Sequence, residues 1–193
     1  MTGVQTCALP IFQSPKPLTL KGSSTESIFL EMLHTKANSW AAQKIKKVNK
    51  QTKAVLSRVL EIGIVTEKPL SEIALKIEKY IGDTVPNRAM TIARTETHSM
   101  AVSSFQDAVQ IQGDELGMES VKSWAASNDD RTRETHREAD YTRNDRNKDI
   151  AMDKPFLVGG EELAFPGDPD GSPENVINCR CVVLYNTKEK EKS

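Results

Sequence analysis

A histidine, two cysteines and a run of carboxylates and arginines gather in the last third of this 193-residue chain. His136 and Asp140 stand four residues apart, a spacing that puts both on one face of a helix. Cys179 and Cys181 alternate, which on a strand turns both thiols to one side. If that helix and strand are neighbours, an imidazole, a carboxylate and two thiolates converge. By type this is an acceptable zinc ligand set, although structural zinc sites use Cys-x-x-Cys knuckles more often than Cys-x-Cys. The same block admits a different arrangement, in which Arg131, Arg133 and Arg180 pair with Asp129, Asp140 and Asp168. Buried polar groups are costly unless they satisfy one another, so this packed network is the first reading and a metal site the second. No cofactor is expected, and zinc or another metal is what the ligand types admit.

Catalysis is the last reading. A histidine–metal nuclease needs a second histidine or a denser acidic cluster, and neither follows His136. A cysteine nucleophile beside His136 would need a nucleophile turn that the Cys-x-Cys segment does not show. Gly159-Gly160 and the stretch from Gly167 to Gly171 lack the lysine and following helix of a phosphate-cradling loop. A disulfide within Cys179-Arg-Cys181 is disfavoured, because alternate strand residues sit near the upper limit of a bridgeable distance.

The elements that would position these groups follow from periodicity. Residues 25–62 read as helical: Ile28, Met32 and Leu33 form one apolar turn. Ala41, Ile45, Val48, Thr52, Val55, Leu56 and Val59 then recur at three- and four-residue spacing, with Gly63 as the stop. Every charged residue between positions 35 and 60 is basic. The strip Lys44, Lys46, Lys47, Lys50 and Lys53 is a candidate contact for DNA or a protein partner, set against the plainer reading of a solvated helix face. A second helix starts at Pro69, buries Leu70, Ile73, Ala74, Ile77 and Ile81, and ends at Gly82. A third opens at Pro86 or Asn87 and continues to Gln112, with Gly113 as its stop. On it Thr91, Arg94, Thr95 and His98 make a polar row, either plain surface or a rib that docks onto the C-terminal block.

After Gly117 the texture changes. Residues 121–126 suit a strand bearing Trp124, and 130–140 suit a short helix capped by Asn128, Asp129 or Asp130. Phe156-Leu-Val158 and Glu162-Leu-Ala-Phe165 flank Gly159-Gly160 as a hairpin. Residues 178–185 read as a strand and 187–193 as a charged, frayed tail. The fold class expected is α+β, with N-terminal long helices packed on a small C-terminal antiparallel sheet and a short helix.

Composition sets the bounds. The formal net charge is −1 and 37% of residues are hydrophobic, so there is no global basic field and a core of modest size. No apolar run approaches the ~20 residues of a membrane-spanning helix, so a soluble protein with no membrane partner is expected. Residues 1–11 read as translated read-through of a sequencing adapter and are set aside, Cys7 with them. A signal peptide would need a basic start and a longer apolar stretch. Residues 12–24, with two prolines, a glycine and serines, read as a flexible lead-in. The paired cysteines that remain make no disulfide framework, and a reducing compartment is the default.

Four segments in order carry a resemblance. They are Arg88-Ala-Met-Thr-Ile-Ala-Arg-Thr-Glu-Thr97, Trp124-Ala-Ala-Ser-Asn-Asp-Asp-Arg-Thr-Arg-Glu-Thr-His136, Phe156-Leu-Val-Gly-Gly-Glu-Glu-Leu-Ala-Phe-Pro-Gly-Asp-Pro169 and Pro173-Glu-Asn-Val-Ile-Asn-Cys-Arg-Cys-Val-Val-Leu-Tyr185. Together they resemble the phage head morphogenesis family, the Mu F-like minor head proteins, over roughly residues 62–185 and with a domain drawn at 63–186. The resemblance implies a minor capsid protein of a tailed phage or prophage, acting with the portal and with capsid or scaffold proteins in assembly. Phage DNA is an implied partner in packaging or ejection, and the virion and the host cytoplasm during assembly are the implied locations. The positions that match the family's signature are Arg94, Glu96, Trp124, Asp129, Arg131, Arg133, His136, Asn178, Cys179 and Cys181. One departure is that Asp140 is followed by Tyr141 where relatives often have glycine, which predicts a rebuilt turn over 141–149. The rival expectation is a metal-dependent enzyme or toxin-like effector centred on His136, Asp140, Cys179 and Cys181. A DNA-binding adaptor is the third.

Overall fold

The computed structural model describes residues 25–39, 45, 50–81 and 87–189. The adapter segment, the lead-in and the basic residues Lys44, Lys46 and Lys47 lie outside them. The described chain is α+β, as its patterning predicts: helices first, then small antiparallel sheets with short helices between.

The expected helical region over 25–62 contains α1 (Thr25–Ser39) and α2 (Lys50–Val65). Leu33 and Ala37 from α1 meet Leu56 and Leu60 from α2 in one apolar cluster, and His34 Nδ1 lies 2.6 Å from Glu61 Oε1 across the pair. α2 does not stop at Gly63. It runs on to Val65 and closes at Glu67, whose φ of 51° is left-handed, with Lys68 N–H donating to Gly63 O at 2.8 Å and Glu67 N–H to Ile64 O at 3.0 Å. This is the paired hydrogen-bond closure usually centred on glycine, here on a glutamate. Gly63 is instead an interior helical residue over which Ile73 packs, and a Cβ there would stand 2.6 Å from Ile73 Cδ1.

The stripe Ile73, Ala74 and Ile77 of α3 (Leu70–Ile81) faces this core, with Pro69 O accepting from Glu72 and Ile73 N–H at the helix start. α4 (Arg88–Glu115) is the spine. One side lies on α1 and α3, the other on the C-terminal sheet. Apart from Met100, its buried residues are small for that reason: Ala93, Thr95, Ser99, Ser103, Ser104 and Ala108 let neighbours approach from both sides. Gly113 was expected to end it, yet the helix passes through. Gly113 is buried against β1 (Met118–Ala125), where a Cβ would lie 2.4 Å from Ser120 Oγ. The turn falls at Gly117 instead, at φ 65°.

β1 is the centre of a three-stranded sheet ordered β2-β1-β5, all antiparallel, in which β2 is Ile150–Ala151 and β5 is Val182–Glu189. Trp124 sits opposite Val183 and Met118 opposite Glu189. The last strand therefore starts beyond the Cys-x-Cys segment and uses Thr187, Lys188 and Glu189, which had been expected to form a frayed tail. β3 (Phe156–Val158) and β4 (Glu161–Leu163) form the expected hairpin. Gly159 at φ 57° and Gly160 at φ 81° supply the two left-handed positions that a tight hairpin turn requires. Between β1 and β5 lie α5 (Glu134–Glu138), a 3₁₀ turn at Asp145–Asn147 in the stretch where a rebuilt turn was expected, and α6 (Pro173–Val176). A second apolar cluster sits here: Trp124, Ala139, Phe156, Val158, Leu163, Cys179 and Cys181.

Candidate functional site

The short helix α5 is preceded by a turn rather than by a capping side chain. Arg133 occupies the cap position without a side-chain cap bond. Asp129, one of the expected caps, folds its own loop: Asp129 Oδ1 accepts from Arg131 N–H at 3.0 Å and from Thr132 Oγ1 at 2.9 Å. The same carboxylate receives both Arg180 nitrogens, Nη2 at 2.8 Å on Oδ1 and Nη1 at 2.5 Å on Oδ2. This Arg180 fork, with help from Thr132 and the Arg131 N–H, holds the Asp129 carboxyl below the usual range.

Of the expected arginine–aspartate network, that one pair forms. Arg133 donates to Ile177 O instead of to a carboxylate, and the Arg131 side chain is exposed. Asp168 accepts from Ala164 N–H at 2.7 Å and Asp170 N–H at 3.0 Å, so it braces the Phe165-Pro-Gly-Asp168 loop. Asp140, expected as a metal ligand beside His136, lies beyond the end of α5 and away from the thiols. Its buried carboxylate accepts from Ala126 N–H at 2.8 Å, Asn128 Nδ2 at 3.3 Å, Thr142 N–H at 3.0 Å and the Thr142 hydroxyl. Burial would push its pKa up, but these bonds outweigh it and keep the carboxyl below its ordinary value. An acceptor so fully used has no lone pair directed at a metal.

His136, Cys179 and Cys181 do converge, and all three are buried. His136 Nδ1 is 3.3 Å from Cys181 Sγ and 3.8 Å from Cys179 Sγ, and the three donor atoms lie within 4.8 Å of one another. The thiols meet the ring from a loop rather than from a strand. After α6, Asn178 takes φ 58°, and the Cys179 N–H donates back to Val176 O at 3.1 Å. The neighbouring sulfurs split their acidity. Hydrogen bonding from Cys181 lowers the Cys179 thiol, while the proton shared with Cys179, together with burial, pushes the Cys181 thiol up. Trp124 closes the group, its ring edge-on to His136 at 5.5 Å and to Phe156 at 5.4 Å between centroids.

The polar row of α4 is a docking rib. Arg94 Nη1 donates to Asn178 Oδ1 at 3.1 Å, and Asn178 N–H donates to Thr95 Oγ1 at 3.1 Å. Ser99 Oγ donates to Gly167 O at 2.6 Å, and Gly167, at φ 84°, leaves only 3.0 Å between a would-be Cβ and His98 Cδ2. Burial lowers the His98 pKa, against the pull of the nearby Cys181. Glu96 is half-buried on the same helix. Of the basic strip, exposed Lys50 and half-buried Lys53 lie in α2.

Two residues of the C-terminal block escaped the sequence reading. Lys122 is buried on β1, donates to Ala164 O at 2.8 Å and sits 4.9 Å over the Phe156 ring. Desolvation lowers its pKa to about 8. Its alternation within the strand was the signal, since it lies two residues from Trp124 on the inward face. Asn147, fully buried, donates to Ala139 O and Leu157 O and accepts from Leu157 N–H, all at 2.8–2.9 Å. It sits in a charged run without periodicity and gave no signal. A groove among the described residues is lined by Gln106, Asp107, Asp114, Glu119 and Asp153, at the Met118 end of β1 and apart from the histidine and thiols.

The sequence model of the family described as Phage Mu protein F like protein matches residues 42–184. The chain is also 30% identical over 122 residues to the NAD(+)–arginine ADP-ribosyltransferase EFV of Enterococcus faecalis. That alignment covers 63% of this chain and 23% of the relative, so the chain spans under a quarter of the relative's length. No solved structure matches.

Proposed function

The chain belongs to the phage Mu protein F like family, and from that premise we propose that it is a minor head protein of a tailed phage or prophage. It works as a structural part that docks with the portal and capsid proteins during head assembly. The observation that carries this reading is the family match itself, which takes in α2 to α4 and the whole C-terminal block. The burial of the block's chemistry supports it. His136, Cys179 and Cys181 are each at most 2% exposed, and the hydrogen-bonding capacity of Asp140 and Asn147 is spent on neighbouring groups of the block. Such residues fix a surface rather than attack a substrate.

The relative's name favours an enzyme reading for that longer protein. The shared segment is a small fraction of the relative, and this chain carries the family match, so we assign it the family's structural role. Among the described residues no helix is long and apolar enough to cross a membrane, which fits assembly with protein partners. Exposed Lys50 makes the start of α2 the candidate contact for portal or DNA. The test is co-expression with the cognate portal followed by sedimentation. Co-migration with portal oligomers is expected, and its absence with the full chain would overturn the proposal. NAD-dependent modification of arginine by the purified chain would favour the enzyme reading instead.

A further inference from the structure

The segment between β1 and β5 is short of regular structure for its length. From Ala126 to Cys181 no helix or strand exceeds five residues. Its apolar cluster holds few large side chains, chiefly Trp124, Phe156 and Leu163, and two of its members are the cysteines themselves. Segments with so little periodic hydrogen bonding and so small a core commonly need a staple. Here the staple's components are already in contact. His136 belongs to α5, while Cys179 and Cys181 belong to the loop after α6, more than forty residues later.

A tetrahedral zinc ion with Zn–S near 2.3 Å and Zn–N near 2.05 Å sets its nitrogen and sulfur ligands about 3.6 Å apart and its two sulfurs about 3.8 Å apart. The observed nitrogen–sulfur distances of 3.3 and 3.8 Å bracket the first value, and the 4.8 Å bound admits the second. One imidazole proton can serve only one of the two sulfurs at a time; a cation in the middle serves both. The outer contacts of the two cysteines are in place, whereas His136 Nε2 is buried without a protein hydrogen-bond partner. The Asn178 loop that presents the cysteines is pinned to Arg94 and Thr95, and Arg180 between the cysteines is forked onto Asp129. These are the outer contacts that hold ligands in their orientation.

We propose that His136 Nδ1, Cys179 Sγ and Cys181 Sγ form a structural zinc site that ties α5 to the α6–β5 loop, with water in the fourth position. Among the described residues no fourth protein donor joins the group. Trp124, packed on His136, has an indole N–H buried without a protein acceptor. Binding deprotonates the thiols and releases their protons. Asp140, the ligand that spacing favours, takes no part.

The full-length protein, purified without chelator and in reductant, tests this by elemental analysis. About one zinc per chain is expected, with a lower thermal midpoint after chelation and recovery on adding zinc back. Cobalt in place of zinc should give thiolate charge-transfer bands and the visible bands of a tetrahedral ion. Asp140→Asn should keep the metal, whereas Cys181→Ser and His136→Gln should lose it. Should those last two fail to fold, the chelation and cobalt results on the unaltered chain still decide. Less than about 0.2 zinc per chain with a midpoint indifferent to chelator overturns the proposal. So does copper in place of zinc, or a Cys179–Cys181 disulfide in freshly reduced protein. Portal binding is measured separately, so either proposal can fail while the other stands.

Discussion

Replacing Gly63 by alanine sets two opposed effects against each other, and the packing of α2 on α3 decides the sign. Alanine is the better helix former by about 1 kcal/mol in a helix interior. The new methyl, however, would stand 2.6 Å from Ile73 Cδ1 and 2.7 Å from Ile73 Cγ1. Ile73 is 2% exposed and fixed among Leu56, Leu60 and Ile77, and Cγ1 is the near end of its side chain, so rotating the tip does not relieve the contact. Overpacking of this kind costs about 1–3 kcal/mol, which leaves a net loss of about 1 kcal/mol. In an Ile73→Ala background the clashing atoms are gone. There the same Gly63→Ala change should stabilise by up to about 1 kcal/mol, although Ile73→Ala itself costs about 2–5 kcal/mol. Urea unfolding at 25 °C of the four proteins closes the cycle, read as midpoints at constant slope. Stabilisation of the unaltered protein by Gly63→Ala would refute the reasoning. So would an equal loss in both backgrounds, because that is how a left-handed helix-stop glycine behaves.

Three other outcomes are expected. Asp140→Ala removes a buried carboxylate that accepts from Ala126, Asn128 and Thr142, donors that water can reach in part, and should cost about 1–3 kcal/mol by the same urea measurement. Because the Asp140 carboxyl is held below its ordinary value, its contribution is present at neutral pH and is lost as pH falls through that value. The variant's deficit should therefore shrink in acid, and a pH-independent deficit would contradict this. Lys122 has its pKa lowered to about 8, so between there and its ordinary 10.5 the unfolded chain holds the proton that the folded chain has released. Stability of the unaltered protein relative to Lys122→Met should thus rise across that window, by up to about 2 kcal/mol after discounting for solvent screening. A flat difference would refute the assignment. Asn178→Ala loses the Arg94 bond and strains a residue at φ 58°, for about 1–3 kcal/mol, whereas Asn178→Gly should recover the backbone part. Equal losses in thermal unfolding would show that backbone conformation contributes nothing.

Periodicity and residue type carried much of this protein into view. The stripe Ile73, Ala74 and Ile77, the hairpin at Gly159-Gly160, the strand bearing Trp124 and the α+β class all follow from local patterns. The convergence of His136 with Cys179 and Cys181 was one arrangement the ligand types allowed, and docking was one of two readings left open for the Arg94 and Thr95 row. Glycine was the weak point. Gly63 and Gly113 look like helix stops because a sequence records only that the side chain is missing, whereas the reason it is missing lies in Ile73 and Ser120, on other elements. Asp140 shows the same limit. Four-residue spacing aligns it with His136 on an ideal helix, but α5 ends at Glu138 and the carboxylate turns to Ala126 and Thr142. Cys179 and Cys181 reached the imidazole by a different route from the one expected, through a left-handed Asn178 ahead of the strand. Local order depends on neighbours in the chain and is written there. Which side chain fills which gap depends on surfaces of different elements meeting, near in sequence for Gly63 and Ile73 and far for Arg94 and Asn178, and only the folded chain specifies those.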